Sequence, residues 1–169
     1  TLSAEQGDSD AQFNLGWMHR KGLGVPQDDK TAVMWYTLSA EQGDSDAQFN
    51  LGWMYSKGLG VPQDDKTAVQ WYRLSAEQGD ASGQYNLGNS YREGKGVPQD
   101  YKTAFKWFKL AANQGHPRAQ SNIGQMYRNG YGVLQDYKTA LKYYKLAAEQ
   151  GHGIGQANIG LMYEKGLGV

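Results

Sequence analysis

The chain contains no cysteine, and this absence excludes disulfide frameworks, thiolate zinc sites and cysteine nucleophiles together. Its three histidines, His19, His116 and His152, are too few and too scattered for a typical histidine-based metal site. No stretch approaches the roughly 20 apolar residues of a membrane-spanning helix, so we expect no membrane insertion here. The 17 basic and 17 acidic side chains balance, which gives no support for a nucleic-acid partner.

Glycine, by contrast, is abundant, at 23 of 169 residues against an ordinary share of about 7%. Twenty of these glycines recur every 36 residues, in columns that begin at Gly7, Gly16, Gly22 and Gly24. Residues 1–36 and 37–72 differ at only three positions. Disordered linkers keep no such register, and a 36-residue period is typical of helical-repeat proteins.

The period divides the chain into one repeat array. Residues 1–7 form a stub, predicted to be the C-terminal part of a second helix. We place the full repeats at 8–43, 44–79, 80–115 and 116–151, and a half repeat, consisting of a first helix, at 152–169. Because neither end resembles a polar capping unit, we expect the natural protein to continue at one or both ends.

Each repeat is predicted to contain two helices, here called helix A and helix B. In helix A of the first repeat, over 9–21, Ala11, Leu15 and Met18 follow the spacing of one helical face. Helix B is expected over about 29–42, between a turn with two glycines and Gly43. The predicted N-caps are Asp8, Asp44 and Asp80 for helix A and Asp28, Asp64, Asp100 and Asp136 for helix B.

Glycine inside helix A costs about 1 kcal/mol relative to alanine. Its recurrence at Gly16 and the copies of Gly16 therefore predicts a close approach of two helices, with Ala32 and Ala40 as the opposing surface. Two aromatic columns of helix B are predicted to be core. They are Trp35, Trp71, Trp107 and Tyr143, and Tyr36, Tyr72, Phe108 and Tyr144.

The second repeat carries the segments Ala47–Tyr55, Gly58–Asp64, Lys66–Tyr72 and Ala76–Gly79, and in these the chain resembles the Sel1-like repeat family, which is related to the tetratricopeptide repeats. The resemblance covers the whole chain. It implies an all-α fold, a right-handed solenoid of antiparallel helix pairs. Members of the family act mainly as adaptors and scaffolds, and their precedent allows a periplasmic or secreted, ER-lumenal or cytosolic location.

Helix A positions 13, 17 and 20 lie opposite the Ala11-Leu15-Met18 face, so we expect them to line a groove formed by the A helices. The alternative for position 13 is packing between adjacent A helices. The candidate partner-binding residues are Phe13, Trp17, Arg20, Phe49, Trp53, Tyr85, Asn89, Arg92, Gln125 and Arg128.

Asparagine recurs on helix A, at Asn14, Asn50, Asn86 and Asn122. The resemblance to tetratricopeptide modules implies contacts with the backbone of a bound peptide, and an amide offers both donors and acceptors for them. The alternative is an internal hydrogen bond to a neighbouring helix. The same two interpretations apply to Gln12 and its copies.

These patterns favour a non-enzymatic scaffold that binds a protein or peptide in the groove, without a cofactor. No catalytic or nucleotide-binding motif fits. One alternative is head-to-tail self-assembly, because residues 1–79 carry a net charge of −5 (6 basic, 11 acidic) and residues 80–169 carry +5 (11 basic, 6 acidic). Another is an accessory region of a larger envelope-associated protein. Six lysines of helix B form a stripe that is either a solvated face or a site for an acidic partner. They are Lys102, Lys106, Lys109, Lys138, Lys142 and Lys145.

Overall fold

The computed structural model describes residues 2–168, and this part of the chain is helical without strands. Residues 1 and 169, the first of the stub and the last of the half repeat, lie outside the described residues. None of the helices within 2–168 is long and apolar enough to cross a membrane. The helices are α1 (Leu2–Glu5), α2 (Ser9–Lys21), α3 (Asp29–Glu41), α4 (Ser45–Lys57), α5 (Asp65–Glu77), α6 (Ala81–Glu93), α7 (Tyr101–Asn113), α8 (Pro117–Asn129), α9 (Tyr137–Glu149) and α10 (Gly153–Glu164).

The helices begin at the aspartates that the sequence indicates. Asp8 accepts a hydrogen bond of 2.7 Å from the backbone N–H of Ala11 at the start of α2. Asp28 accepts from two backbone N–H groups at the start of α3 and from the Thr31 hydroxyl at 2.6 Å. The Thr31 hydroxyl is the largest of the causes that lower the pKa of Asp28. The predicted caps Asp44, Asp64, Asp80, Asp100 and Asp136 make equivalent bonds.

The turn from helix A to helix B depends on two glycines in the left-handed region. Gly22 has φ +68° and its N–H bonds to the carbonyl of Met18, which ends α2. Gly24 has φ +71°. Only glycine adopts these angles without strain. The predicted turn is therefore confirmed in the first repeat, and its copies have the same geometry.

The glycine inside helix A marks a close approach, as predicted. A Cβ atom at Gly16 would lie 2.9 Å from Cδ1 of Tyr36 and 3.2 Å from the carbonyl oxygen of Ala32. The nearest opposing atoms thus belong to Tyr36 and Ala32 rather than to Ala40. Helix A is drawn against the flat ring of helix B in each full repeat, because the copies Gly52, Gly88 and Gly124 face Tyr72, Phe108 and Tyr144.

Those four rings are buried, which confirms the prediction for this aromatic column. The neighbouring column, which begins at Trp35, is only half-buried, and here the prediction was wrong. Adjacent helical residues point about 100° apart. The Trp35 column therefore lies at the edge of the buried face while Tyr36 lies at its centre.

The helices are grouped in two compact units. One unit holds the chain through Gly83 together with Lys95–Val97, and the other holds Gln84–Gly94 and the chain from Pro98. In the first unit α2 packs on α3, α3 on α4 and α4 on α5. In the second unit α7 packs on α8, α8 on α9 and α9 on α10. Within each unit, therefore, each of these helices packs on the next one in the sequence.

Two buried tyrosines of this column differ in their hydrogen bonding, so the same substitution is expected to change the free energy of unfolding in opposite directions. The Tyr144 hydroxyl is buried without a hydrogen-bond partner, whereas the Tyr72 hydroxyl donates to Oγ of Ser56 at 3.1 Å. We expect Tyr144→Phe to raise the free energy of unfolding by about 1 kcal/mol and Tyr72→Phe to lower it by about 1 kcal/mol. Urea unfolding of the full chain measures both. An equal loss for the two variants would show that the hydroxyls do not differ.

Candidate functional site

The candidate residues of the first unit lie on α2 and α4. Trp17 is 42% exposed, which makes it the most exposed tryptophan of the described residues. Phe13 is half-buried, and its ring centroid lies 5.8 Å from that of Tyr36. Phe49 has the same relation to Tyr72, at 6.3 Å. Position 13 therefore packs on helix B of its own repeat, whereas Trp17 faces solvent.

Arg20 joins the first two repeats. Its Nη1 donates to Oδ1 of Asn50 at 2.9 Å, and its guanidinium carbon lies 4.2 Å from the centroid of the Trp53 ring. Trp53 is half-buried and also packs against the core cluster that contains Tyr36 and Leu51. The guanidinium plane is held in place by both contacts, a cation–π contact and a neutral amide acceptor.

The asparagine column is engaged in internal hydrogen bonds. Nδ2 of Asn14 donates to the carbonyl of Asp10, and Nδ2 of Asn50 donates to that of Asp46, both at 2.8 Å. In the second unit, Arg92 donates to Asn122 at 3.3 Å and Arg128 donates to Asn158 at 3.0 Å. At these positions the amides join helix A to itself and to the next helix A. Asn86 is half-buried.

The glutamine column is buried, and it bonds both to the preceding repeat and to the end of helix B in its own repeat. Gln48 is 4% exposed, and its Nε2 donates to the carbonyl of Ala40 at 3.1 Å. Its Oε1 accepts from Nε2 of Gln78 at 2.8 Å. The same glutamine pair recurs as Gln12 with Gln42, Gln84 with Gln114, and Gln120 with Gln150.

The remaining candidates lie in the second unit and are more polar. Tyr85 stacks on the ring of His116 at 4.7 Å and lies 5.9 Å from the ring of Phe108. Asn89 is half-buried, and its Oδ1 has no hydrogen-bond partner. Gln125 is half-buried as well.

The predicted lysine stripe is mostly solvated. Lys102, Lys106, Lys138, Lys142 and Lys145 are exposed. The half-buried Lys109 lies with its Nζ 4.7 Å from the centroid of the Tyr143 ring. This geometry is that of an outward face of helix B with one cation–π contact.

One feature of the second unit was missed by sequence reasoning. A cavity of about 340 Å³ is lined by residues of α6, α8 and the start of α10, namely Tyr85, Arg118, Ser121, Asn122, His152 and Ile154. A signal for it was present in the sequence. The column of Phe13, Phe49 and Tyr85 continues as Ser121, so a ring is replaced by a small side chain.

Comparison with known proteins identifies the repeat. The Sel1 repeat matches residues 9–44, 45–80, 81–116, 117–152 and 153–169. No match to the chain was found among curated proteins.

Solved structures agree with the repeat match. The c5321 protein, a protective antigen of uropathogenic Escherichia coli strains with an SLR fold, has 42% identity and a TM-score of 0.95, over 99% of this chain and 36% of that one. A Sel1 repeat protein from Oxalobacter formigenes has 40% identity and a TM-score of 0.90, over 97% of this chain and 68% of that one. An immunity protein from Pseudomonas aeruginosa, with 23% identity, a TM-score of 0.63 and coverage of 92% and 58%, is similar in fold alone. The expected all-α repeat-solenoid class, related to the tetratricopeptide repeats, is confirmed.

Proposed function

Because the chain belongs to the Sel1 repeat family, we propose that it is a non-enzymatic scaffold that holds a peptide or protein segment against its A helices. Sel1 repeat proteins are helical repeat scaffolds that generally serve protein interaction, on a fold that is not itself catalytic. The chain spans 36% of the length of the Escherichia coli protein. The scaffold role is therefore proposed for this segment of repeats.

The observation that supports this proposal is the exposure of Trp17. A solvent-exposed tryptophan on a helix whose other apolar side chains are buried or half-buried marks an interaction surface, since tryptophan and arginine dominate the energetics of protein interfaces. Arg20 lies one turn further along α2 on the same side of the helix. Its contacts with Asn50 and Trp53 fix its position before a partner arrives, which reduces the entropy lost on binding.

Trp17→Ala tests the proposal. Peptides that bind the full chain are first selected from a phage-displayed random library, and their dissociation constants are measured by fluorescence anisotropy. We expect Trp17→Ala to raise the dissociation constant about tenfold or more, as truncation of an interface tryptophan does. The free energy of unfolding should change by no more than about 0.5 kcal/mol, because the side chain is largely outside the core.

Leu134→Ala is the matched control, because Leu134 is an apolar side chain that is 91% exposed in a turn of the second unit. Peptide affinity that is unchanged in Trp17→Ala, or reduced equally in Leu134→Ala, would refute the groove. Light scattering at low and high salt accompanies the measurement. Dimers that dissociate at high salt and are unchanged by Trp17→Ala would favour the alternative, which is self-association through the two halves of the sequence with net charges of −5 and +5.

A further inference from the structure

The cavity of the second unit differs from the equivalent place in the first two repeats because an aromatic ring is absent. Phe13 and Phe49 each lie against an aromatic ring of helix B, at centroid distances of 5.8 and 6.3 Å. Ser121 occupies the same position of the fourth repeat and is buried, but it brings no ring. The volume of about 340 Å³ beside it is large enough for a side chain of a bound peptide.

The lining of this cavity contains a hydrogen-bond donor without an acceptor. Asn14, Asn50 and Asn158 each donate from Nδ2 to the carbonyl four residues earlier. Asn122 is the exception, because its Nδ2 is buried and has no hydrogen-bond partner. A buried donor without a partner is unfavourable, because it has lost its hydrogen bond to water. A ligand that brings an oxygen to this amide would replace that hydrogen bond.

The charges at this place are reversed between the two units. Arg118 occupies the position of Asp10 and Asp46, and His152 occupies the position of Asp8 and Asp44. In the first unit acids lie close to one another at these positions. Burial raises the pKa of Asp46, and the negative charges of Asp44 and Asp80 raise it further. The six residues that line the cavity include one cation and no acid. The cavity is therefore suited to an anion, whereas the equivalent positions of the first unit hold acids.

The start of α10 adds a further preference for negative charge. His116, the N-cap of α8, accepts a hydrogen bond from the backbone N–H of Ala119 through Nδ1, at 3.2 Å. His152, the N-cap of α10, makes no such side-chain bond, so its ring does not occupy the first-turn amides. Backbone N–H groups at a helix start favour an anion.

We propose that this cavity binds a carboxylate of the peptide or protein partner, with Arg118 as the charge partner and Nδ2 of Asn122 as a donor to one of the carboxylate oxygens. The inference rests on the proposed scaffold function and adds the chemistry of the partner, which is an acidic residue or a free C-terminus. Tyr85 and Ile154 provide the apolar walls for the carbon atoms that carry the carboxylate.

The test uses the full chain, labelled with ¹⁵N, and three acetylated tetrapeptides. Acetyl-Ala-Ala-Glu-Ala-amide carries a side-chain carboxylate, acetyl-Ala-Ala-Ala-Ala carries a free C-terminus, and acetyl-Ala-Ala-Gln-Ala-amide carries no charge. Peptide concentrations extend to about 10 mM, since a single charged contact gives millimolar affinity. We expect at least one carboxylate peptide, but not the glutamine peptide, to shift the amide signals of Ser121 and Asn122 with saturation.

Two variants and a control decide the assignment. Arg118→Asp, which places the residue type of Asp46 here, should weaken carboxylate binding at least tenfold. Ser121→Phe should abolish it by filling the cavity without any change of charge. Lys142→Asp makes the same charge change on an exposed residue of α9 and should leave binding within about twofold, because surface charges act weakly at a distance in salt.

The two proposals fail in different ways. Binding of neither carboxylate peptide, equal binding of the glutamine peptide, or full binding by Arg118→Asp or Ser121→Phe overturns the carboxylate site. The scaffold function then still stands if selected peptides depend on Trp17. Conversely, the tetrapeptides can bind the cavity while Trp17→Ala leaves the affinity of the selected peptides unchanged. This outcome refutes the groove and leaves the cavity as the binding site. Comparison of the two carboxylate peptides identifies the source of the carboxylate.

Discussion

Gly60→Ala is expected to lower the free energy of unfolding of the full chain by about 2–5 kcal/mol. Two effects add. Gly60 has φ +69°, and an alanine in the left-handed region costs about 1–2 kcal/mol. A Cβ atom at Gly60 would also collide with the carbonyl group of Asp29 and lie 2.8 Å from the backbone nitrogen of Lys30. Because the opposing atoms are backbone, they cannot rotate away, and overpacking of this kind costs about 1–3 kcal/mol more.

Gly24→Ala is the matched control for this prediction. Gly24 occupies the same position of the preceding repeat and has φ +71°, but a Cβ atom there would meet only Cε of Met18, at 3.7 Å. We expect a loss of about 1–2 kcal/mol, from backbone strain alone. Urea unfolding of both variants gives the difference, which measures how tightly α3 packs against the turn of the next repeat. Equal losses for the two variants would show that a Cβ atom at position 60 does not clash with the backbone of Asp29 and Lys30.

Gln48→Met is expected to lower the free energy of unfolding by about 1–2 kcal/mol. Methionine has a similar length, so the volume is retained, but the hydrogen bonds to the carbonyl of Ala40 and from Nε2 of Gln78 are lost. A hydrogen bond contributes about 0.5–1.5 kcal/mol, and that of the exposed Gln78 lies at the low end. The loss is no larger, because the N–H of Gly43 still bonds to the Ala40 carbonyl and Nε2 of Gln78 still donates to the carbonyl of Gly43.

Gln63→Met is the control for the glutamine prediction. Nε2 of Gln63 donates to the carbonyl of Ser56 at 3.2 Å, but Gln63 is exposed. We expect a change of at most about 0.5 kcal/mol, since surface substitutions away from special features have small effects. Similar losses for the two variants in thermal and urea unfolding would contradict a specific role for the buried glutamine.

The sequence predicted the features that depend on local chemistry. The period, the aspartate caps, the left-handed glycines and the close approach at Gly16 each follow from one residue type at one position. An aspartate before a helix meets free amides whatever surrounds it. A glycine at positive φ is similarly required by the backbone alone. The predictions of the caps and of the turn glycines therefore needed no knowledge of tertiary contacts.

Features that depend on side chains from two repeats were harder to predict. Trp17 and Trp53 belong to the same column and have the same helical phase, yet only Trp17 is strongly exposed. Trp53 is less exposed because Arg20 of the preceding repeat lies over its ring. The cavity beside Ser121 requires side chains from three helices. The Nδ2 of Asn122 has no partner, unlike that of Asn14 or Asn50, although the residue type is the same. Periodicity assigns a face to each column, but it does not state what covers that face.

The hydrogen bonds between consecutive repeats also bear on how the chain folds. Arg20 with Asn50, Arg92 with Asn122 and Arg128 with Asn158 each join residues 30 apart. Insertion of a whole repeat elsewhere would leave each of these separations unchanged, so the loop-closure entropy per contact is independent of copy number. Low contact order favours rapid folding. Such a chain can gain or lose 36-residue copies during evolution without slowing the formation of the contacts that remain.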